Sequence, residues 1–418
     1  MTRIPGLTTF LASSVRRLTR ATSVCSQRKL LVTRDLGPDT MSLLYAREDL
    51  EVVTWPEDRD CERSWLLDNV PGAAGAIVMV TEKIDEEVLE RGESRLYMRP
   101  SWQLSTSTTI YSGPLILKSY QRPLLASVRR SPLFFDTVQY MRSIEHVDLQ
   151  GLYRRKIRLG YTPDVLNNAV ADVAVMLALM AGRLADQGVT LVKEGKWPAH
   201  NFGPFHFVGP QLSPVPSIST TRTVGFLGFG RIAQATLARL AAFGVTHCIY
   251  STNPSSPHDR ERDAALAEQL KLRAVARVDL DTLARDSDVL ILLAPGGAAT
   301  RHVIDEAFLR KMGSRAVLVN VARGTLVDSD ALAKALREGW IWGAAVDVVE
   351  GEPQVGADHP LVREPRCVVV PHIGSATFET RLGMVRTAAT NALAGLDEVD
   401  MPAELDVAAR LARLTPRV

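Results

Sequence analysis

A glycine-rich turn between an apolar run and a helical pattern constrains the fold of this 418-residue chain most strongly. The apolar run at 224–227 leads into a Gly-x-Gly-x-x-Ala motif whose glycines are Gly228 and Gly230. Gly228 allows a tight turn, and Gly230 lets the backbone approach a phosphate group. A helical pattern at 235–243 follows at once, and Arg231 and Ile232 lead into it, where free N–H groups carry partial positive charge. The pattern predicts that these four residues bind the pyrophosphate of a dinucleotide.

Strand and helix patterns alternate beyond this turn. Such alternation is typical of a doubly wound parallel sheet of the Rossmann type, whose ligand crevice lies at the carboxyl ends of the strands. The predicted strands lie at 247–251, 288–293, 316–320, 343–347 and 367–370, and the predicted helices at 264–270, 305–312 and 329–338.

The part of the chain before the turn predicts a second, smaller α/β unit. Short apolar runs at 30–33 and 75–80, the latter followed by a helical pattern at 85–91, indicate parallel strands. A long apolar helix is predicted at 168–184. It fits an element buried between two domains.

Composition and charge exclude several classes of function. The net charge of +2 gives no reason to expect nucleic acid or a membrane surface as a partner. No apolar run approaches the roughly 18 residues of a transmembrane helix. The four cysteines are scattered without metal-ligand spacing, so we expect no metal site and no disulfide framework.

Residues 1–28 differ in composition from the rest of the chain. They carry five arginines among Ser and Thr, and the first acidic residue is Asp35. This composition is typical of a mitochondrial presequence, so we expect a mitochondrial location, with the cytoplasm as the alternative. A disordered basic tail or a wrongly chosen start codon would explain the same composition.

The stretch 93–142 shows neither a strand period nor a helix period. It is dense in Ser and Thr, and prolines interrupt it. A structureless stretch of this length is unusual inside a compact domain. We therefore interpret it as a disordered insertion or as translated non-coding sequence.

Three chemically suited side chains follow consecutive predicted strands. The planar guanidinium of Arg323 can grip a carboxylate with two hydrogen bonds and polarise a neighbouring carbonyl. His372 can donate a proton to an alkoxide near neutral pH, and Glu352 can orient that imidazole and raise its pKa. Each alone is more often a surface or structural residue. Their placement at three strand ends of one crevice predicts a site for reducing a 2-oxo acid.

Four motifs resemble those of the D-isomer-specific 2-hydroxyacid dehydrogenase family, and within it the branch that reduces glyoxylate and hydroxypyruvate. The similarity covers 144–405 well and 29–90 loosely. The motifs are Gly-Phe-Gly-Arg-Ile at 228–232, Val-Asn-Val-Ala-Arg-Gly-Thr-Leu-Val-Asp at 319–328, Asp-Val-Val-Glu-Gly-Glu-Pro at 347–353 and Pro-His-Ile-Gly-Ser-Ala-Thr at 371–377.

The resemblance implies a domain organisation and an assembly. A Rossmann NAD(P)-binding domain at 164–374 would be inserted into a smaller, flavodoxin-like α/β substrate domain made of 29–163 and 375–410. The family also implies a homodimer and a small-molecule 2-oxo acid as substrate. By motif position, Arg323, Glu352 and His372 match the catalytic Arg, Glu and His of the family, with Arg323 also binding the substrate.

Further site residues follow from the same resemblance. Asp347 matches the acid near the nicotinamide, and Trp197 resembles a loop tryptophan that helps to close the substrate site. The remaining residues expected at the cofactor stand at or beside strand ends, and they are Ala294, Val321, Ala322, His372 and Gly374.

The choice of cofactor is predicted from a missing acid. NAD enzymes usually place Asp or Glu about 20 residues beyond the glycines, where it binds the ribose 2′-hydroxyl. No acidic residue lies between Gly230 and Asp259. Ser251, Thr252 and Asn253 can instead donate hydrogen bonds to a 2′-phosphate, and Arg260 and Arg262 lie close enough in sequence to add positive charge. We expect NADPH to be preferred, with NADH as the alternative.

One departure from the family keeps a second interpretation open. Where the family has a glycine-containing loop whose N–H groups hold the substrate carboxylate, this chain has Tyr-Met-Arg-Ser-Ile at 140–144. A loop without glycine can fail to bring its N–H groups close to the ligand. The chain is therefore either an active reductase or a catalytically impaired dinucleotide-binding sensor, similar to a corepressor. Among other substrates, formate is disfavoured because formate enzymes use Gln at the Glu352 position, and 3-phosphoglycerate would need extra basic residues.

Overall fold

The computed structural model describes most of the chain outside the N-terminal and Ser/Thr-rich stretches. Side chains are described throughout except at 93, 136–139 and 413–414. The presequence-like segment therefore lies almost entirely outside the described residues, and the loop at 140–144 lies wholly outside them. The described residues are 27–93, 136–139, 146–200, 203–204, 206, 208–213 and 222–414.

The first of two parallel sheets is formed by the N-terminal part of the chain. Its strand order is β2-β1-β3-β4-β5. Strands β1 and β3 contain buried Leu, Ile and Val, as is typical of parallel strands covered on both faces. The strands are β1 (Arg28–Val32), β2 (Leu50–Thr54), β3 (Ala73–Val78), β4 (Asp136–Gln139) and β5 (Leu159–Gly160).

Strand β4 corrects one prediction. It lies inside 93–142, for which no regular element was predicted, and it pairs with β3 on one side and β5 on the other. Four residues are too few to show a strand period, so backbone pairing with two neighbours determines this strand. The interpretation of 93–142 as wholly irregular is therefore wrong for Asp136–Gln139.

The second sheet has seven parallel strands in the order β12-β11-β10-β9-β6-β7-β8. All strands run the same way, but the order in which the chain adds them reverses at β6: β7 and β8 lie on one side of it and β9 to β12 on the other. This gives a switch point between β6 and β9, where α/β proteins bind ligands. The predicted Rossmann fold is confirmed. The strands are β6 (Thr223–Leu227), β7 (His247–Ser251), β8 (Ala274–Arg277), β9 (Val289–Leu292), β10 (Val317–Asn320), β11 (Gly343–Val346) and β12 (Cys367–Val369).

Helices cover both sheets, and their starts follow from local sequence. Asp259, Asp279, Asp305 and Asp328 each cap a helix by accepting a hydrogen bond from a backbone N–H of its first turn. The helices are α1 (Pro38–Tyr45), α2 (Arg63–Asn69), α3 (Glu86–Glu93), α4 (Leu149–Arg155), α5 (Asn167–Arg183), α6 (Ala185–Lys193), α7 (Arg231–Ala242), α8 (Arg260–Gln269), α9 (Leu280–Asp286), α10 (Glu306–Leu309), α11 (Ser329–Arg337), α12 (Pro360–Arg363), α13 (Phe378–Leu396) and α14 (Val407–Leu414).

Helix α5 packs closely against the second sheet. Buried alanines at 169, 171, 174, 178 and 181 let it approach β10, β11 and helix α7. No single helix among the described residues is long and apolar enough to cross a membrane, and α5 and α6 pass that test of length and composition only as a pair bent by 70°.

The chain returns to the first sheet after β12. Helix α13 packs on β3, β4 and β5. Its fully buried Asn391 donates to the carbonyls of Tyr161 and Ala403 and accepts from the N–H of Ala403. The Asn391 side chain thus joins α13 to the segment after β5 and to the segment that follows α13.

We expect Asn391→Ala to lower the free energy of unfolding by about 2–4 kcal/mol, because it leaves buried backbone groups without partners. Urea unfolding measures the change. Thr390→Ala, on the exposed side of the same helix, is the matched control and should change stability by less than about 0.5 kcal/mol. Equal effects of the two substitutions would contradict this role of Asn391.

Candidate active site

The turn after β6 requires glycine at its first position. Gly228 has φ +90°, and a Cβ there would lie 2.7 Å from the N atom of Ala294 and 2.8 Å from the carbonyl carbon of Leu293. Its N–H donates to the carbonyl of Ser251 at 2.8 Å. The turn is therefore pressed between the ends of β7 and β9, where any side chain would clash.

Gly230 has a different role. It precedes α7, no side chain caps this helix, and a Cβ on Gly230 would meet nothing within 4 Å. Ala233, one turn into the helix, is fully buried. Uncapped N–H groups thus face open space at the start of a 12-residue helix, which fits a dinucleotide pyrophosphate.

Arg231 and Ile232 occupy the first turn of α7, which begins four residues before the predicted helical pattern. The guanidinium of Arg231 forms an ion pair with Asp164, so this side chain is engaged by the segment before α5. The backbone N–H groups of the first turn remain the groups that suit the phosphates.

The end of β7 carries the three predicted ribose-side residues. Ser251 is buried, Thr252 is half-buried and Asn253 is exposed. The Oδ1 atom of Asn253 accepts from the N–H and the hydroxyl of Ser255 at 3.0 and 2.8 Å. The guanidinium of Arg277 donates to the carbonyl of Asn253 at 2.8 Å, which places a cation beside this turn.

A buried acid that the sequence prediction missed lies behind this turn. The two oxygens of Asp263 accept four hydrogen bonds, from Tyr250 (2.6 Å), His258 (3.0 Å) and twice from Arg262 (2.6 and 3.1 Å). Burial raises the pKa of this carboxyl, but the hydrogen bonds from Tyr250, Arg262 and His258 lower it below its usual value overall. Asp263 is therefore an anion whose acceptor sites are already engaged.

Arg262 connects this acid to the glycine turn. Its guanidinium lies over the ring of Phe229, 5.3 Å from the centroid, and Phe229 stacks on Tyr250 at 4.2 Å. Phe229 stands between the two glycines of the motif. Arg262 is thus held next to the predicted cofactor site, whereas Arg260 is the exposed first residue of α8.

The loops after β10 and β11 are in backbone contact. A Cβ on Gly324 would lie 2.0 Å from the carbonyl carbon of Val349 and 2.3 Å from the N atom of Glu350. Fully buried Asn320 shapes the first loop, since it accepts from the N–H of Ala322 at 3.0 Å and donates to the carbonyl of Arg323 at 2.9 Å. Arg323 is therefore held against the loop that carries Glu352.

Buried neighbours complete the strand-end segment of the Arg323 loop. Val321 and Ala322 are both buried at the end of β10, and Ala294 is buried at the end of β9. The structure therefore places these three expected cofactor-site residues along the edge of the crevice.

His372 and Glu352 meet directly. The Nδ1 atom of His372 lies 3.0 Å from Oε1 of Glu352. The histidine backbone has φ +53°, which is rare for a residue with a side chain and needs support from its surroundings. With Nδ1 engaged by the carboxylate, Nε2 is the ring nitrogen that can exchange a proton with a substrate.

Asp347 provides that support. Its carboxylate accepts from the N–H groups of Ile373 (2.6 Å) and Gly374 (2.9 Å), and its carbonyl accepts from the N–H of His372 (2.9 Å). A Cβ on Gly374 would lie 2.8 Å from this carboxylate. Burial raises the pKa of Asp347 above its usual value. The acid expected near the nicotinamide therefore also holds the His372 loop in place.

Two other polar features escaped prediction. Ser375 is buried beside Gly374, and its hydroxyl has no hydrogen-bond partner among the described residues. A further histidine–carboxylate pair joins His302 to Glu350 at 2.7 Å. Nothing in the sequence marks this pair, because its two residues lie on separate loops.

Trp197 is not joined to the Arg323, Glu352 and His372 group. It lies in a 3₁₀ turn, Trp197–Ala199, directly after α6, and it is 65% exposed. In the described part of the chain no hydrogen bond or ring contact links it to those three residues. Nor does the described part of the chain contain a group of three or more His, Cys, Asp or Glu that could hold a metal ion.

Comparison with known proteins identifies the family to which this fold and these motifs belong. Residues 175–374 match the family model of the D-isomer specific 2-hydroxyacid dehydrogenase, NAD binding domain. A glyoxylate reductase of Thermococcus gammatolerans is 32% identical over 368 residues, which are 88% of this chain and 92% of that protein. The chain belongs to the D-isomer-specific 2-hydroxyacid dehydrogenase family. It is therefore an NAD(P)-dependent dehydrogenase, and the resemblance drawn from its motifs is confirmed.

Two further members of this dehydrogenase family show similarity along nearly the whole chain. The human glyoxylate reductase/hydroxypyruvate reductase is 31% identical over 377 residues, 90% of this chain and 97% of its own. The NADPH-dependent glyoxylate/hydroxypyruvate reductase of Sinorhizobium meliloti, crystallised with NADP and malonate, superposes with a TM-score of 0.67 at 25% identity, covering 91% of this chain and 98% of its own. The similarity thus extends over both sheets.

Proposed function

We propose that this dehydrogenase reduces glyoxylate or hydroxypyruvate to the D-2-hydroxy acid with NADPH. The observation that carries the proposal is the His372–Glu352 pair, 3.0 Å apart, on the loops after β12 and β11, the second of which is next to the β10 loop that bears Arg323. Relatives that bear the names glyoxylate reductase and hydroxypyruvate reductase support this substrate class.

Arg323 binds and polarises the substrate in this mechanism. Its guanidinium holds the carboxylate of the 2-oxo acid by two hydrogen bonds and draws electron density from the adjacent carbonyl oxygen. Asn320 and Gly324 fix the backbone on either side of it, so the guanidinium is positioned before substrate arrives.

His372 supplies the proton. A reduced nicotinamide held at this edge of the sheet would supply a hydride to the carbonyl carbon, which would leave the negative charge on the carbonyl oxygen. His372 donates a proton from Nε2 to this oxygen, which gives the hydroxyl group. Glu352 accepts the Nδ1 hydrogen bond and stabilises the charged imidazolium from which the proton leaves.

The preference for NADPH is supported by the charges around Asn253. The nearest buried acid, Asp263, already accepts four hydrogen bonds and is poorly placed to bind a ribose hydroxyl. Arg277 donates to the carbonyl of Asn253, and Arg262 lies over the ring of Phe229 in the glycine turn. Ser251, Thr252 and Asn253 can donate to a 2′-phosphate. A site with two nearby cations and an exposed amide favours the phosphorylated cofactor.

We also propose a homodimer and keep the mitochondrial location as a prediction from residues 1–28. Val189, Val192 and Trp197 are 47%, 51% and 65% exposed on consecutive turns of α6 and the turn after it. Apolar exposure of this kind supports an interface between subunits.

Arg323→Ala should lower kcat/KM for hydroxypyruvate by about a thousandfold or more, because it removes both binding and polarisation.

His372→Ala should lower kcat by about a hundredfold or more and leave the Kd of NADPH nearly unchanged. Steady-state kinetics and cofactor titration measure both, and Arg323→Lys tests whether charge alone suffices. A His372→Ala enzyme with normal kcat would remove His372 from the proton-donor role.

Asn253→Asp should raise KM for NADPH about 10- to 30-fold and leave KM for NADH almost unchanged, because a carboxylate repels the 2′-phosphate. The turn itself should survive, since the oxygen that accepts from Ser255 is retained. Asn253→Ser is the control, because it keeps a side-chain oxygen at the turn without adding charge. Equal shifts for NADH and NADPH would contradict the proposed position of the 2′-phosphate.

A further inference from the structure

A cluster outside the proposed catalytic group connects three active-site loops. The Nε2 atom of His302 lies 2.7 Å from Oε2 of Glu350, and the guanidinium of Arg301 forms an ion pair with the other oxygen of the same carboxylate. The hydrogen bond from His302 holds the pKa of Glu350 below its usual value. Arg301 and His302 follow β9, whereas Glu350 follows β11.

The backbone of His302 reaches the third loop. Its N–H donates at 2.8 Å to the carbonyl of Thr325, two residues after Arg323. The residue has φ +49°, a backbone conformation that is unfavourable for a residue other than glycine. The surrounding contacts must maintain it. His302 thus connects the β9 loop to both the Arg323 loop and the Glu352 loop.

The hydrogen bonds that join Glu352 to the start of its turn are long, whereas the end of the turn is closed by a 3.0 Å bond from the N–H of Gln354 to the carbonyl of Gly351. The N–H of Glu352 lies 3.4 Å from the carbonyl of Val349, and its carboxylate lies 3.4 Å from the N–H of Val349. Gly351, between the two glutamates, has φ +91° and no side chain to restrict it. Contacts of this length contribute little, so the start of the turn is held by the backbone contact with Gly324 and by the side-chain contacts of Glu350.

We propose that Arg301, His302 and Glu350 form a loop clamp that positions Glu352 against His372 and holds the Arg323 loop beside it. The inference rests on the proposed roles of Arg323, Glu352 and His372. The clamp residues act through these side chains, and they are positioning residues. Loss of the clamp should therefore affect turnover more than cofactor binding.

The test is a double-mutant cycle on His302→Ala and Glu350→Ala with hydroxypyruvate as substrate. Each single variant should lower kcat about 10- to 100-fold, since displacement of a catalytic group by about 1 Å has effects of this size. The Kd of NADPH should change less than threefold. The double variant should be no slower than the slower single variant, because the two residues make one interaction.

Conservative variants separate positioning from a general structural role. Glu350→Gln keeps an acceptor for His302 and should recover most of the lost kcat, to within about threefold of the unmodified enzyme. If the alanine variants fail to fold, the cycle is run with His302→Asn and Glu350→Ser, which shorten both side chains so that the contact is lost while the positions stay polar, and the same non-additivity is expected. The matched control is Asp281→Ala, which breaks the exposed 2.7 Å ion pair with Lys311 and should leave kcat unchanged.

The outcomes also separate this inference from the proposed function. Additive effects of the two substitutions, or kcat within twofold of the unmodified enzyme in both single variants, would overturn the loop clamp while Arg323→Ala and His372→Ala remain inactive. An unmodified enzyme without turnover of glyoxylate or hydroxypyruvate would instead contradict the proposed function, and the clamp with it.

Discussion

The contact between the backbones of Gly324 and Val349 determines how the active-site loops meet. Adjacent parallel strands deliver their loops to one edge of the sheet, but strand spacing alone leaves the loops free to diverge. Here a Cβ at Gly324 would lie 2.0 Å from the carbonyl carbon of Val349, so the backbones of the two loops touch without intervening side chains. The loops that carry Arg323 and Glu352 therefore pack directly on each other, and His372, on a third loop, contacts Glu352.

Asp347 extends this constraint to the third loop. A buried carboxylate is unfavourable unless donors surround it, and this one accepts two N–H groups from the segment that follows His372. The same acid lies at the end of β11, where the expected nicotinamide site lies. A single side chain thus links the conformation of the His372 loop to the strand edge at which we expect the cofactor.

Features that depend on a short local pattern were predictable from the sequence. Strand β7 has the predicted bounds His247–Ser251, and the turn at Gly228 has the conformation that its motif requires. Strand β8 and helix α9 were missed because both are short and neither has a clear apolar period. Strand β4 was missed because its neighbours in the sheet, not its own four residues, determine its structure.

The site shows the same division. Arg323, Glu352 and His372 stand in motifs at strand ends, so their grouping was predictable from strand order. The engagement of Asp263 by Arg262 and the pairing of His302 with Glu350 were not, because each depends on side-chain orientation. From the resemblance, Trp197 was expected to help close the substrate site. None of the described contacts joins it to Arg323, Glu352 or His372.

The most direct test of the account is NADPH oxidation by the purified full-length chain with hydroxypyruvate and glyoxylate, with NADPH binding measured in parallel. The account predicts turnover of at least one of these 2-oxo acids, tight NADPH binding and formation of the D-hydroxy acid. Tight binding of NADPH without turnover of either substrate would contradict it and would favour a dinucleotide sensor that retains this fold.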